Sequence, residues 1–135
     1  MKYVALVDGK AGAYGVAFPD APGCAAMGKT MDEAIANAVR ALAEWVGYAT
    51  ASRLDVPRAR SVDELRNDAE VIEQIEDGAA FVVIPLVMES GTSVRANLSM
   101  DSGLLAAIDE AADRAGTSRS AFLADAARDK LLAGV

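Results

Sequence analysis

A chain of 135 residues has room for one domain or two small ones. Its 13 Lys+Arg stand against 20 Asp+Glu, and the net charge of −7 excludes a protein that grips nucleic acid over its whole surface. The chain has no His, which removes the commonest general base and metal ligand.

In chain order, Lys2 to Val7 (K-Y-V-A-L-V) reads as a strand and Asp8 to Gly12, with two Gly, as a hairpin turn. Ala13 to Phe18 is a second strand. Pro19-Asp20-Ala21-Pro22-Gly23 is a loop, because each Pro restricts its own φ and its neighbour. Cys24 to Met27 forms a short third strand ending at Gly28. Thr30-Met31-Asp32-Glu33 fits a capping box in which Thr30 caps and Glu33 reaches back. Met31, Ile35, Ala38, Val39, Leu42, Trp45, Val46 and Ala49 then share one helical stripe, with Asp32, Glu33, Asn37, Arg40 and Glu44 on the other sides. Trp45 on that stripe reads as a core residue rather than a binding platform. Arg53 to Arg60 is a connector with three Arg. Ser61-Val62-Asp63-Glu64 is a second capping box, opening one acidic helix through about Ile75. Asp77-Gly78 is a turn. Ala80 to Val87 is an apolar strand, buried on both faces or lying at an edge where Pro85 lacks a donor.

A polar linker, Glu89-Ser90-Gly91-Thr92, precedes a change of pattern. Val94, Ala96, Leu98 and Met100 point one way along the next stretch; Arg95, Asn97 and Ser99 point the other, which signals a strand with one apolar and one polar face. Two helical stretches follow, separated by Gly116, with Leu104, Leu105 and Ile108 in the first and Phe122 and Leu123 in the second. One strand and two helices cannot close a core alone, because the strand has no partner within the segment. The economical solution is a second copy of the chain, pairing strand to strand. Charge separates the halves: residues 1–90 carry 8 Lys+Arg against 14 Asp+Glu, residues 91–135 carry 5 against 6, and an acidic front part suits a basic partner. The expected division is therefore 1–90 and 91–135.

The tail resembles the ribbon-helix-helix family of DNA-binding dimers. The likeness rests on the alternating Arg95 to Ser99, on Leu98, Met100, Leu104, Leu105 and Ile108, and on the turn Gly116-Thr117-Ser118-Arg119-Ser120. Where that family often carries Pro after the strand, Asp101 stands here, which serves as well for a helix start. The resemblance implies an antiparallel ribbon in the major groove with Arg95, Asn97 and Ser99 facing base edges. Backbone amides of Thr117, Ser118, Arg119 and Ser120 would hold a phosphate. Val94, Ala96, Leu98, Met100, Leu105, Ile108, Phe122 and Leu123 would form the dimer core.

The front part, in the order β-β-β-α-α-β, resembles the partial ribonuclease-H-like domain of HicB antitoxins. The run Tyr14-Gly15-Val16-Ala17-Phe18-Pro19-Asp20-Ala21-Pro22-Gly23-Cys24, then Gly28-Lys29-Thr30-Met31-Asp32-Glu33-Ala34 and Asn37-Ala38, carries that likeness. Together the two resemblances imply an α+β protein with a toxin-binding front domain and a ribbon-helix-helix tail. The function implied is an antitoxin that neutralises a small, basic, mRNA-cleaving toxin of the HicA type and represses its own operon at operator DNA. Two segments are candidates for the toxin face: the loop Asp20, Ala21, Pro22, Gly23 and the acidic helix from Asp63 to Glu76. A homodimer through the ribbon is expected, with a tetramer if the front domains also pair.

A ribonuclease-H-type site would need several carboxylates around metal ions. The candidates Asp8, Asp20 and Glu89 read as local turn and linker residues instead. Neither catalysis nor a metal or cofactor is expected. No secretion signal is visible at Met1-Lys2-Tyr3-Val4. The longest apolar run near the end of the front part, Ala79 to Met88, contains Pro85 and falls short of the roughly 20 residues of a membrane span. The lone Cys24 reads as a small buried hydrophobe in a reducing compartment, so a cytoplasmic protein without membrane association is expected. The alternative function is a ribbon-helix-helix regulator whose front domain senses a small molecule or serves only assembly. A metal-dependent hydrolase is a weaker third.

Overall fold

The computed structural model describes residues 1–132 and divides into two compact units, Met1–Met88 and a second beginning at Glu89. The first contains β1 (Lys2–Lys10), β2 (Ala13–Ala17), β3 (Ala25–Gly28), α1 (Met31–Ala51), α2 (Val62–Leu65), α3 (Ala69–Glu76) and β4 (Ala80–Pro85). The second contains α4 (Ser102–Ala115) and α5 (Arg119–Leu132). Among the described residues, no helix is long and apolar enough to cross a membrane.

The four strands form one antiparallel sheet in the order β3-β2-β1-β4. Strand alternation decides what covers each face. Tyr3, Ala5 and Val7 of β1, Val16 of β2 and Ile84 of β4 turn towards α1 and pack with Ala34, Ala38, Val39, Leu42 and Val46. Val4 and Leu6 turn to the opposite face and meet Leu65 of α2 and Val71 of α3. That second layer stops short of the far strands: Ala13, Ala17, Ala25 and Met27 stay exposed. β4 is an edge strand, the second of the two placements open to it, and Pro85 sits at its end.

The helical stripe of α1 is buried as expected at Ala38, Val39, Leu42, Val46 and Ala49, with Ala34 added. Met31 lies outside the core and Trp45 is only half-buried. Four local expectations need correction. β1 runs on to Lys10, so Asp8 lies in a strand opposite Gly15 and the turn is Ala11-Gly12 alone. Thr30 accepts from the Glu33 N–H at 3.1 Å, but the reciprocal bond is absent, so half of the first capping box forms. The box at Ser61 and Glu64 is complete. The acidic helix divides in two, giving three front-unit helices where two were expected: Asp68 caps α3 by accepting from the N–H groups of Glu70 and Val71, which ends α2 after one turn.

In the second unit, residues 93–101 belong to neither helix nor strand, where the alternation predicts a strand. A strand needs a ladder partner, and this segment has none within the chain. Val94 is 86% exposed and Leu98 66%, while Ile108 and Ala112 are the only buried residues of α4 and α5. Asp101 caps α4 by accepting from the Leu104 N–H at 2.9 Å. Gly116 ends the helix in the left-handed region at φ 68°, and the Thr117 N–H returns to Ala112 O.

Gly28 is where β3 meets the start of α1. A Cβ there would lie 2.3 Å from Ala34 N and 2.7 Å from its Cα, both backbone atoms with no rotamer to yield. Gly28→Ala is expected to cost about 1–3 kcal/mol of front-unit stability through overpacking, read as a lower urea midpoint in the fluorescence of Trp45.

Candidate interaction surfaces

Of the loop offered as a toxin face, half is interior. Asp20 is 6% exposed and Ala21 fully buried; only Pro22 and Gly23 reach the surface. The Asp20 carboxylate is spent inside the fold. It accepts from the Arg60 backbone N–H and from Arg60 Nε, both at 2.7 Å, and the same guanidinium donates to Asp68 at 3.0 Å. A buried carboxylate is tolerated only when so partnered. Asp20 and Ala21 are therefore unavailable to a partner's surface as the chain stands. Arg60 holds Asp68 below the usual carboxylate range, helped by the Val71 and Glu70 amides. Arg58 does the same for Glu64, with a hydrogen bond at 3.0 Å. The other candidate, from Asp63 to Glu76, is two helices rather than one, with Asp63, Glu64, Glu70, Glu73 and Glu76 exposed.

Beside Pro22 the surface opens into a shallow groove of about 320 Å³ lined by Gly23, Cys24, Ala25, Ala41, Glu44, Trp45 and Tyr48. The indole N–H of Trp45 donates to Pro22 O at 3.2 Å, which fixes the ring at the groove's edge. Cys24 is buried beneath, and burial followed by the nearby Glu44 charge pushes its thiol up. A second pocket of about 330 Å³ lies between α3 and β4, with Val71, Ile72, Ile75 and Phe81 among its walls. Among the described residues, no group of three or more Asp, Glu, Cys or His side chains is placed to hold a metal ion.

In the second unit, Arg95, Asn97 and Ser99 are all exposed, as are Val94, Ala96 and Leu98 of the alternate set. Met100, Leu105, Phe122 and Leu123 are half-buried. Of the four backbone amides expected to hold a phosphate, one is engaged, and two of the side chains beside them are as well. The Thr117 N–H is already donated to Ala112 O, the Ser118 hydroxyl accepts from the Ala121 N–H, and Arg119 is held by Asp109 through two bonds of 2.7 Å. Ser120 is exposed. The Arg119 hydrogen bonds hold Asp109 below the usual carboxylate range. Arg128 donates to Glu89 and Asp125.

These surfaces can be set beside known proteins. The family described as the HicB-like antitoxin of bacterial toxin-antitoxin systems matches residues 3–127. The chain belongs to the HicB-like antitoxins. Its fold is similar to the crystal structure of the Burkholderia pseudomallei antitoxin HicB, at 29% identity and TM-score 0.55, over 97% of this chain and 98% of the other. A chain of the HicA3 and HicB3 toxin-antitoxin complex shares the fold at 19% identity and TM-score 0.55, covering 64% of this chain and 99% of its own. An uncharacterised 14.9 kDa protein in the rep-hol intergenic region of Haemophilus phage HP1 is 28% identical over 121 residues, 88% of this chain and 89% of the phage protein. HicB-family antitoxins are non-enzymatic components of their systems, so the absence of catalysis follows from the family.

Two outcomes test the Asp20–Arg60–Asp68 cluster. Arg60→Ala strands a buried carboxylate and is expected to cost on the order of 2–3 kcal/mol, less than a fully enclosed pair because Arg60 keeps 31% of its side-chain exposure. A urea titration followed by Trp45 emission reads it. Asp68→Asn keeps a good helix cap and removes the charge together with the oxygen that accepts from Arg60. Because Asp68 titrates below its ordinary value of about 3.9 when folded, its contribution is present above that value and fades as pH falls through the folded one. The wild type should exceed Asp68→Asn in stability at neutral pH, and the gap should close in acid.

Proposed function

We propose that this antitoxin neutralises a small, basic, mRNA-cleaving toxin of the HicA type through its front unit. We propose further that it represses its own operon through a ribbon-helix-helix dimer built by the tail. Family membership over residues 3–127 supports the first part, and a fold neighbour occurs within a HicA3–HicB3 complex. The acidic front unit suits a toxin that must itself attract RNA, since opposite charge raises the rate of encounter.

The single observation that carries the second part is the segment 93–101: apolar Val94 and Leu98 stand in water with no ladder partner. Joining two such segments would bury Val94, Ala96, Leu98 and Met100 against α4 and α5 of both copies. Arg95, Asn97 and Ser99 would be left on the opposite, outward side. Arg to guanine and Asn to adenine are the natural bidentate pairings for such a ribbon in a major groove. Phosphate contacts would fall to the Ser118, Arg119 and Ser120 region. The neutral balance of the tail makes the expected affinity depend on few phosphates. A tetramer, by pairing of front units, would let one assembly span two half-sites. Neutralisation would follow from covering the toxin's RNA-binding surface, with apolar contacts slowing release.

Leu98→Asp should convert the dimer to monomer in sedimentation velocity and abolish operator binding, while Trp45 fluorescence reports an intact front unit. Arg95→Ala should cost about 1–3 kcal/mol of operator affinity and relax base preference in a gel shift. Unchanged binding by Arg95→Ala with Asn97→Ala would remove the ribbon as the reader.

A further inference from the structure

The groove beside Pro22 carries two residues, Glu44 and Tyr48, that take no part in the core. Its floor is made of small residues, Ala25 and Ala41, over the buried Cys24. Its walls are the chain's only Trp and one of its three Tyr, one turn apart on α1. Tyr48 is 69% exposed, far more than core packing explains, and Trp45, half-buried against the core, is oriented by its bond to Pro22 O. The one charged lining residue is Glu44, and among the described residues no Lys or Arg forms an ion pair with it. Two aromatic rings beside a free carboxylate make a receptor for an organic cation: the ring faces attract it and the carboxylate neutralises it.

We infer that this groove receives a Lys or Arg side chain from the basic toxin, so that Trp45, Tyr48 and Glu44 form the centre of the toxin-docking surface. The inference rests on the reading that the front unit binds a toxin, and it names the place. The occupant follows from charge: a front part of 8 Lys+Arg against 14 Asp+Glu presents here an unpaired acid flanked by rings. Trp and Tyr are the residues most enriched where binding energy concentrates, because they bring a large rigid surface at small entropic cost. Pre-orientation of Trp45 by Pro22 lowers the ordering cost further. Pro22 and Gly23, the exposed half of the candidate loop, form the rim, whereas Asp20 and Ala21 act only by holding that loop in place.

The test uses the full-length chain and the HicA-type toxin of its own operon, made catalytically inactive and purified separately. Incorporating 5-fluorotryptophan labels position 45 alone, because the chain has a single Trp. Adding unlabelled toxin is expected to shift and broaden that fluorine signal. Tyr48→Ala and Glu44→Gln should each weaken binding in calorimetry by about ten-fold or more, with the front unit's melting temperature unchanged. Ile72→Ala, at the pocket between α3 and β4, should leave the affinity within about two-fold under the same scale. Toxin that binds with wild-type affinity to both variants, or leaves the fluorine signal unmoved, places docking elsewhere and overturns the inference while the antitoxin reading stands. An absence of any complex with the wild-type chain sinks both.

Discussion

The front unit depends on one guanidinium. α1 covers one face of the sheet and the α2–α3 pair covers part of the other, so the chain must cross from face to face between Ser52 and Ser61. Arg60 anchors that crossing. Its backbone N–H and Nε both reach Asp20, just beyond β2, and its Nη1 reaches Asp68, the cap of α3. One residue thereby places the start of α2, through the neighbouring Ser61 cap, and the start of α3. Tyr3 adds a lesser tie by donating from its hydroxyl to Pro57 O at 3.3 Å. The arrangement works because the Asp20 charge is removed from water only where two donors meet it, which also withdraws that carboxylate from any role at the surface.

The two units differ in how far each closes on itself. The front sheet buries Tyr3, Val4, Ala5, Leu6 and Val7 in succession, because both faces of β1 are covered. Among the described residues the tail buries only Ile108 and Ala112, and it leaves Val94, Ala96 and Leu98 in water. Two short helices of about fourteen residues each gain little from propensity alone. Their order here rests on the Asp101 cap, the Gly116 terminus and the Asp109–Arg119 pair. A second copy would supply the missing apolar contacts, which is why the dimer belongs to the function proposed for the tail rather than being an incidental association.

Legibility in the sequence followed the range of the interaction. The stripe of α1, the box at Ser61 and Glu64, and the stop at Gly116 are local patterns and could be read directly. The break between α2 and α3 was also local, but the Asp68 cap lay hidden in a stretch with several other acidic residues, Asp63, Glu64, Glu70 and Glu73. Asp8 followed by Gly9 resembled a turn because it lacked its context, the pairing with Gly15 that carries β1 onward. The Asp20–Arg60 bond joins residues 40 apart in the chain, and no spacing rule reaches that far. Placing Asp20 at the surface failed for the same reason: residue type predicts burial on average, while a particular partner decides it in place.

The inward turn of Asp20 has a functional consequence. An acidic loop at the surface would attract a basic protein without selecting among basic proteins, since exposed charge contributes mainly to encounter. Turning Asp20 inward gives up one such charge and uses it to set the path of the Pro22 loop. Pro22 in turn orients the Trp45 indole. The same residue that secures the crossing of the chain therefore also shapes the edge of the groove beside Glu44 and Tyr48. Selectivity in this front unit would then come from a rigid aromatic site whose geometry is held by the core, while the acidic α2 and α3 surfaces contribute attraction at longer range.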